Sequence, residues 1–333
     1  MRYMVGGVEP KLVMSGTRQI WPKILNRDVV TLFSEDADYV RLPYQGFDGR
    51  TESGSRLARS GVSESGLLPQ QNFAPTYEFR ALDQSFNSAW VSVETLIPVG
   101  IKTLALPSML IIAVIVNADK SIELIGAEYG SDGVRIISLL NNQVRYEYFI
   151  SYGLFPGSTL KIQRFMSFIE VFVDGLRIGA ATHSTFALIG RPGVGVYSAM
   201  APNLSTPIGK TTILGGGSLP KTNGGMLACT VGVRLGALGY FPLAQLKVEG
   251  GKSMRAVIRN VAWEVANSGR IHQVSAPGKT ITVGNSNGVD NVTTEPFDVP
   301  VDGTVTLNVV MNTANIPDTA RVLKSGSIEL IPA

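Results

Sequence analysis

Cysteine is nearly missing from this chain. Cys229 stands alone, which excludes an internal disulfide and makes folding in a reducing cytoplasm the simplest reading. Charge is scarce as well: Asp, Glu, Lys and Arg are 17% of 333 residues, below the roughly 25% of an ordinary soluble domain. The formal net charge is +3, with both signs scattered and no block of either. That gives no electrostatic footprint for a nucleic-acid partner. The two histidines, His183 and His272, sit in polar surroundings with no ligand spacing. With Cys229 they fall short of the roughly four Cys and His ligands of a structural zinc site. No metal site and no cofactor are expected. The longest apolar run, Leu104 to Val116, contains Pro107 and is shorter than the roughly 20 residues a membrane helix needs. The opening MRYMVGGVEPK lacks the apolar stretch of a secretory leader, so neither export nor membrane insertion is expected.

Turn residues are abundant. Thirty-six glycines and eighteen prolines point to many short strands and few helices. Low charge with 44% hydrophobic residues suits a protein that buries surface against partners, although a large core gives the same count. From residue 76 to 200 the pattern is one of strands. Tyr77–Leu82 and Trp90–Glu94 alternate by twos, and 104–116 reads as a buried strand. Val134–Leu140 turns at Asn141-Asn142 into Gln143–Ile150. Asp174-Gly175, between Val171–Val173 and Leu176–Ile178, is the strongest hairpin signal, because it accepts the positive φ angles of a type I′ turn. About nine strands with turns every 8–12 residues predict a sandwich or jelly roll.

The flanks read differently. Residues 1–30 predict a small hairpin around Ser15–Arg18, either an ordinary first hairpin or a docking arm that adds strands to a neighbour. Arg18 and Trp21 are its candidate assembly contacts. Residues 45–75 are Gly- and Ser-rich and cannot bury a core of their own, so they read as an exposed loop or arm. Composition shifts across 201–225, where Thr211–Leu214 could still be a last strand of what precedes. The expected organisation is an arm over 1–30, a jelly roll over 31–215 and a second β-sandwich over 216–333. Asn315–Leu323 is the one place read as a short helical turn.

Catalytic signals are few. No Gly-x-Ser-x-Gly stands at a strand-to-helix turn, and Gly215–Gly217 lacks a phosphate-loop lysine. Strand-borne acid pairs for glycoside hydrolysis are missing: Glu123 and Glu128 are five apart, and Glu94, Glu147 and Glu170 have no partner two residues away. Asp36, Asp38, Asp290 and Asn291 match no calcium loop and read as turns. The chain is therefore expected not to be an enzyme. Aromatic residues offer a binding candidate instead. Positions 146, 148, 150 and 152 share one strand face, so Tyr146, Tyr148 and Tyr152 form either a platform for a sugar ring or the covered face of a sheet. Arg145 and Asn142 join them as candidate glycan contacts, and Arg135 lies nearby in sequence.

Two resemblances follow. The series Trp90–Glu94, Val134–Leu140, Gln143–Tyr148, Leu160–Arg164, Glu170–Val173, Asp174-Gly175, Leu176–Ile178 and Gly193–Tyr197 resembles the concanavalin A-like, or laminin-G-like, jelly roll. The lectin branch's metal ligands and the hydrolase branch's Glu-x-Asp-x-Glu strand have no counterpart here, so the resemblance implies the fold without those activities. Gly16-Thr17-Arg18-Gln19-Ile20-Trp21-Pro22, followed by a sandwich and further β structure, resembles the minor tail proteins of actinobacteriophages. That resemblance implies a virion tail component, assembled in the host cytoplasm with other tail proteins and with copies of itself, a trimer being one option. It also implies contact with a host cell-wall glycan. A capsid decoration protein and a free carbohydrate-binding module are the alternatives.

Overall fold

The structure, a computed structural model, describes side chains over most of residues 79–98, 107–196, 208–215, 225–229, 242–262, 291–309 and 326–333; elsewhere it describes only backbone strands. Strands dominate from the start. β1 (Val13–Ser15) pairs with β2 (Arg18–Trp21), then come β3 (Val29–Thr31) and β4 (Tyr39–Leu42). Part of the 45–75 stretch read as a loop is a hairpin of β5 (Ser60–Ser63) and β6 (Gly66–Pro69). The central series is β7 (Thr76–Leu82), β8 (Trp90–Leu96), β9 (Ser108–Val116), β10 (Ile122–Gly130), β11 (Gly133–Leu140) and β12 (Gln143–Ser151). It continues through β13 (Thr159–Phe165), β14 (Phe168–Val173), β15 (Leu176–Thr182), a 3-10 turn at Ser184–Ala187, β16 (Arg191–Ser198) and β17 (Thr211–Gly215). After these come β18 (Met226–Ala228), β19 (Val233–Arg234), β20 (Gly239–Lys247), β21 (Ser253–Trp263), β22 (His272–Ala276) and β23 (Lys279–Val283). The last are β24 (Asp290–Thr293), β25 (Phe297–Asp298), β26 (Thr304–Met311), β27 (Val322–Lys324) and β28 (Ser327–Pro332).

The first sandwich faces two antiparallel sheets against each other. One has the order β12-β11-β10-β9-β16-β7-β4; the other, β15-β14-β13-β8-β17-β3, is one end of a 13-stranded sheet. Alternation explains the arrangement. Val93, Ile162 and Val171 point inward from one sheet, and Leu110, Ala127, Ile136 and Val194 from the other, into a single buried cluster. Asp174 and Gly175 take φ angles of 50° and 80°, the positive pair a type I′ hairpin requires. The turn is braced by Asp174, whose carboxylate accepts the Thr159 N–H at 2.7 Å. The fold is thus all-β, with a jelly-roll-like sandwich as its centre. β17 pairs with β8, so this piece of the 201–225 transition belongs to the first sandwich.

β14 breaks alternation: all six of its residues are buried. Its inner face, Ile169, Val171 and Val173, serves the first core. Its other face, Phe168 and Phe172, joins a second core with Leu243, Leu246, Ile258, Leu307 and Ile328. The sheet β20-β26-β22-β23 and the far end of the 13-stranded sheet, β18-β28-β21, joined to β15 through β27 and β19, carry that second core, as a further sandwich. Two sequence readings are corrected here. Val322 and Leu323, taken as the end of a helical turn, lie in β27, paired with β19 and β21. Asp290 and Asn291, taken as turn residues, begin β24, where pairing with β21 overrides their turn preference. Among the described residues no helix is long and apolar enough to cross a membrane.

Candidate binding site

The outer face of the seven-stranded sheet ends in a polar, partly aromatic corner. Strand period puts Ala127 and Tyr129 inside, so Glu128 points out. Register then places Glu128 opposite Arg135 on β11, and Arg135 opposite Phe149 on β12. The turn at Ser131 and Asp132 joins β10 to β11 and closes on the pair Gly130 and Gly133. Glycine is needed at 133, because a Cβ there would lie 2.2 Å from the Ile150 carbonyl oxygen.

Arg135 organises the corner. Its Nε lies 3.1 Å from a Glu147 oxygen, and its Nη1 lies 3.6 Å from a Glu128 oxygen. Its guanidinium carbon stands 6.0 Å from the centre of the Phe149 ring, at the outer limit of a cation–π contact. Glu128 is buried, whereas Arg135, Glu147 and Phe149 are exposed, Phe149 to 43%. Pro107, Glu128, Asp132, Arg135 and Phe149 border a pocket of about 160 Å³. A guanidinium has five N–H donors, so two carboxylate contacts leave others to face the pocket. An exposed ring, an oriented fork of donors and carboxylate acceptors are the groups that hold a polyhydroxylated ring: the ring plane takes C–H faces and the charged groups take hydroxyls. Among the described residues no three His, Cys, Asp or Glu side chains gather as metal ligands would.

The residues singled out in the sequence lie elsewhere. Tyr148 is 9% exposed and belongs to the first core, and Tyr146 and Tyr152 pack against that core half-buried. Tyr146 lies 4.9 Å, centre to centre, from both His183 and Phe186. None of the three rings stands free as a platform would; the face of β12 that carries Tyr146 and Tyr148 is the covered one, and Tyr152 follows the strand and packs on the same core. Arg145 is exposed at a bulge, where the register jumps from Ser138–Tyr146 to Leu139–Val144. Asn142 is tied into the fold: its side-chain oxygen accepts the Ile122 N–H at 2.8 Å, and its own N–H donates to the Ile122 carbonyl at 3.0 Å. Arg18 and Trp21 lie on β2, and their side chains are outside the described residues.

The structure brings together Glu128, Arg135, Glu147 and Phe149, which the sequence reading did not group. A signal existed. Tyr148 and Ile150 inward means Glu147 and Phe149 outward, and the Asn141-Asn142 turn fixes which residues of β11 they meet. The acid that looks solitary between two tyrosines is the partner of Arg135.

No protein-family model matches the chain, and no curated protein sequence matches it. Among solved structures, the chain is similar to the carbohydrate binding module CBM66 from Bacillus subtilis. Identity is 13%, with 54% of this chain and 92% of that one covered, at a TM-score of 0.35. A structure described as a native glycosidic hydrolase is 14% identical over 59% of this chain and 98% of its own, at 0.38. Domains LG4-5 of the mouse laminin alpha1 chain are 13% identical over 78% and 86%, at 0.29. Likeness at this level says nothing about function, and the sandwich stands on its own sheets and cores.

Proposed function

We propose that this chain is a binding and assembly protein, not a catalyst. Its place is a phage tail, where the first sandwich holds a saccharide at the Phe149 corner. One observation carries the binding reading: an exposed aromatic ring beside an arginine fixed between two carboxylates, at the rim of a pocket. Arg135 spans both acids, so neither Glu128 nor Glu147 faces the other across an open cleft. This favours holding a ligand over a two-acid hydrolysis. The tail reading is supported by the leader Gly16–Pro22 and by the order of sandwich and further β structure behind it.

A glycan array followed by calorimetry tests the site. Wild-type protein is expected to bind, and Phe149→Ala and Arg135→Ala to weaken binding about tenfold or more. An array without a binder, or a Phe149→Ala variant that binds like wild type, removes the site. Immunogold labelling of particles of the phage that encodes the chain tests the location. Label at the tail is expected; label over the capsid moves the assignment to a decoration protein.

A further inference from the structure

We propose that the outer face of the seven-stranded sheet is a docking surface, and that its occupant is residues 43–75 of the same chain. Strand period builds the face. Leu110, Ala127 and Ile136 point into the first core, so Met109, Ile111, Leu124, Ile137 and Leu139 point the other way. With Phe79, Ala81, Val114 and Ile122 they form a separate apolar cluster, and every member is between 0% and 3% exposed. All nine stand on β7, β9, β10 and β11 of this one sheet. Among the described residues, none from the opposite sheet or the second core joins them. The surface is flat where Phe79 crosses Gly195, whose Cβ would lie 2.9 Å from the ring. A flat apolar sheet face is this dry only beneath another layer.

Chain connectivity selects the layer. β4 is the edge strand of this sheet, and its Leu42 pairs with Phe79 of the cluster. β7 begins at Thr76 and lies beside β4. Adjacent antiparallel strands usually need about 2–5 residues between them. Here residues 43–75 intervene, so both ends of the segment are fixed at one edge of the apolar face. Its strand β6 lies against β16, which stands between β7 and β9. Residues 1–28 instead lead into β3, at the edge of the opposite sheet. The segment is too polar for a core of its own, but Phe47, Leu57, Val62, Leu67, Leu68 and Phe73 give it apolar groups to share. Docking within one chain hides a surface that would otherwise join copies to each other.

The first test leaves the chain whole. A benzophenone-bearing amino acid replaces Val116 or Leu139, at the margin of the cluster, in an equal mixture of light and heavy-isotope chains. Cross-links are mapped by mass spectrometry. Links into residues 43–75, light to light and heavy to heavy, are expected. Links of light to heavy chains would make a second copy the occupant. Links to another segment, or none, would leave 43–75 without the role. Each of these overturns the proposal. A second test removes 43–75, joins Leu42 to Thr76 through a short Gly-Ser turn, and follows peroxide oxidation of Met109. Exposed Met166 and Met226 are the internal standards. Met109 should oxidise about tenfold or more faster than in wild type, because exposure governs the reaction. An added 43–75 peptide should restore its protection. Equal protection with and without the segment overturns the proposal. If the shortened chain does not fold, the cross-links decide alone.

Discussion

Arg177 places its Nη1 3.0 Å from a Glu170 oxygen with both side chains buried, where the two sandwiches meet. Gln163 donates to the other Glu170 oxygen at 2.9 Å, and Arg177 also donates to the Leu243 carbonyl at 2.6 Å. One ion pair thus links β13, β14 and β15 to β20. Its charges are out of water, so their value depends on staying together.

Glu170→Ala should therefore lose about 3–5 kcal/mol, because it strands a buried guanidinium. Replacing both partners, as Glu170→Leu with Arg177→Met, should recover most of that loss. Urea unfolding midpoints measure both. A double variant no better than the single one would show that the pair is not what matters there.

Neighbouring residues of β12 should behave in opposite ways. Tyr148→Ala empties a core position and should cost about 3 kcal/mol or more. Phe149→Ala, on the exposed face, should change stability by less than about 0.5 kcal/mol while reducing saccharide binding. Thermal melts beside calorimetry separate the two. A large stability loss in Phe149→Ala would mean that the ring is structural.

Asn142 combines a φ of 62° with a hydrogen bond from the Ile122 N–H. Asn142→Ala loses the acceptor and strains the backbone, and should cost about 1–3 kcal/mol. Asn142→Gly keeps the conformation and should cost less. The reverse order in denaturation midpoints would refute this account of the turn.

Acid should weaken the fold through His183. Its Nδ1 accepts the Thr185 N–H at 3.3 Å and lies 2.8 Å from the Thr185 hydroxyl, while its ring packs on Tyr146 and Phe186. Burial holds the imidazole below its ordinary value of 6.5. The unfolded chain then binds the proton first, so stability is fully present above about 6.5 and is lost as pH falls through the folded value. Asp119 and Asp302 are also lowered, by hydrogen bonds from Ser121 and Thr304, but their window lies below 3.8. Melting temperature should therefore fall as pH drops below about 6.5 in wild type, and fall less in His183→Gln. Parallel curves for the two proteins would exclude His183 as the cause.

Much of the fold is legible in the residues themselves. Alternation at Trp90–Glu94 and Glu147–Ser151, the Asn141-Asn142 and Asp174-Gly175 turns and the glycine-rich Gly193–Tyr197 strand are local signals, and local backbone chemistry decides them. The short pieces β24 and β27 were not legible, because strands of three or four residues are set by their neighbours more than by their own side chains.

The sequence alone determined an all-β chain with a central sandwich, one thiol and little charge. Only the tertiary structure decided which face of β12 meets solvent. Period two leaves two faces equivalent until another sheet covers one, and here the core took the tyrosines. Pairing in register then brought Glu128, Arg135 and Phe149 into one row, and the diagonal reach of Arg135 added Glu147. Residues up to 21 positions apart became one corner because sheet geometry, not chain order, sets what a side chain can touch.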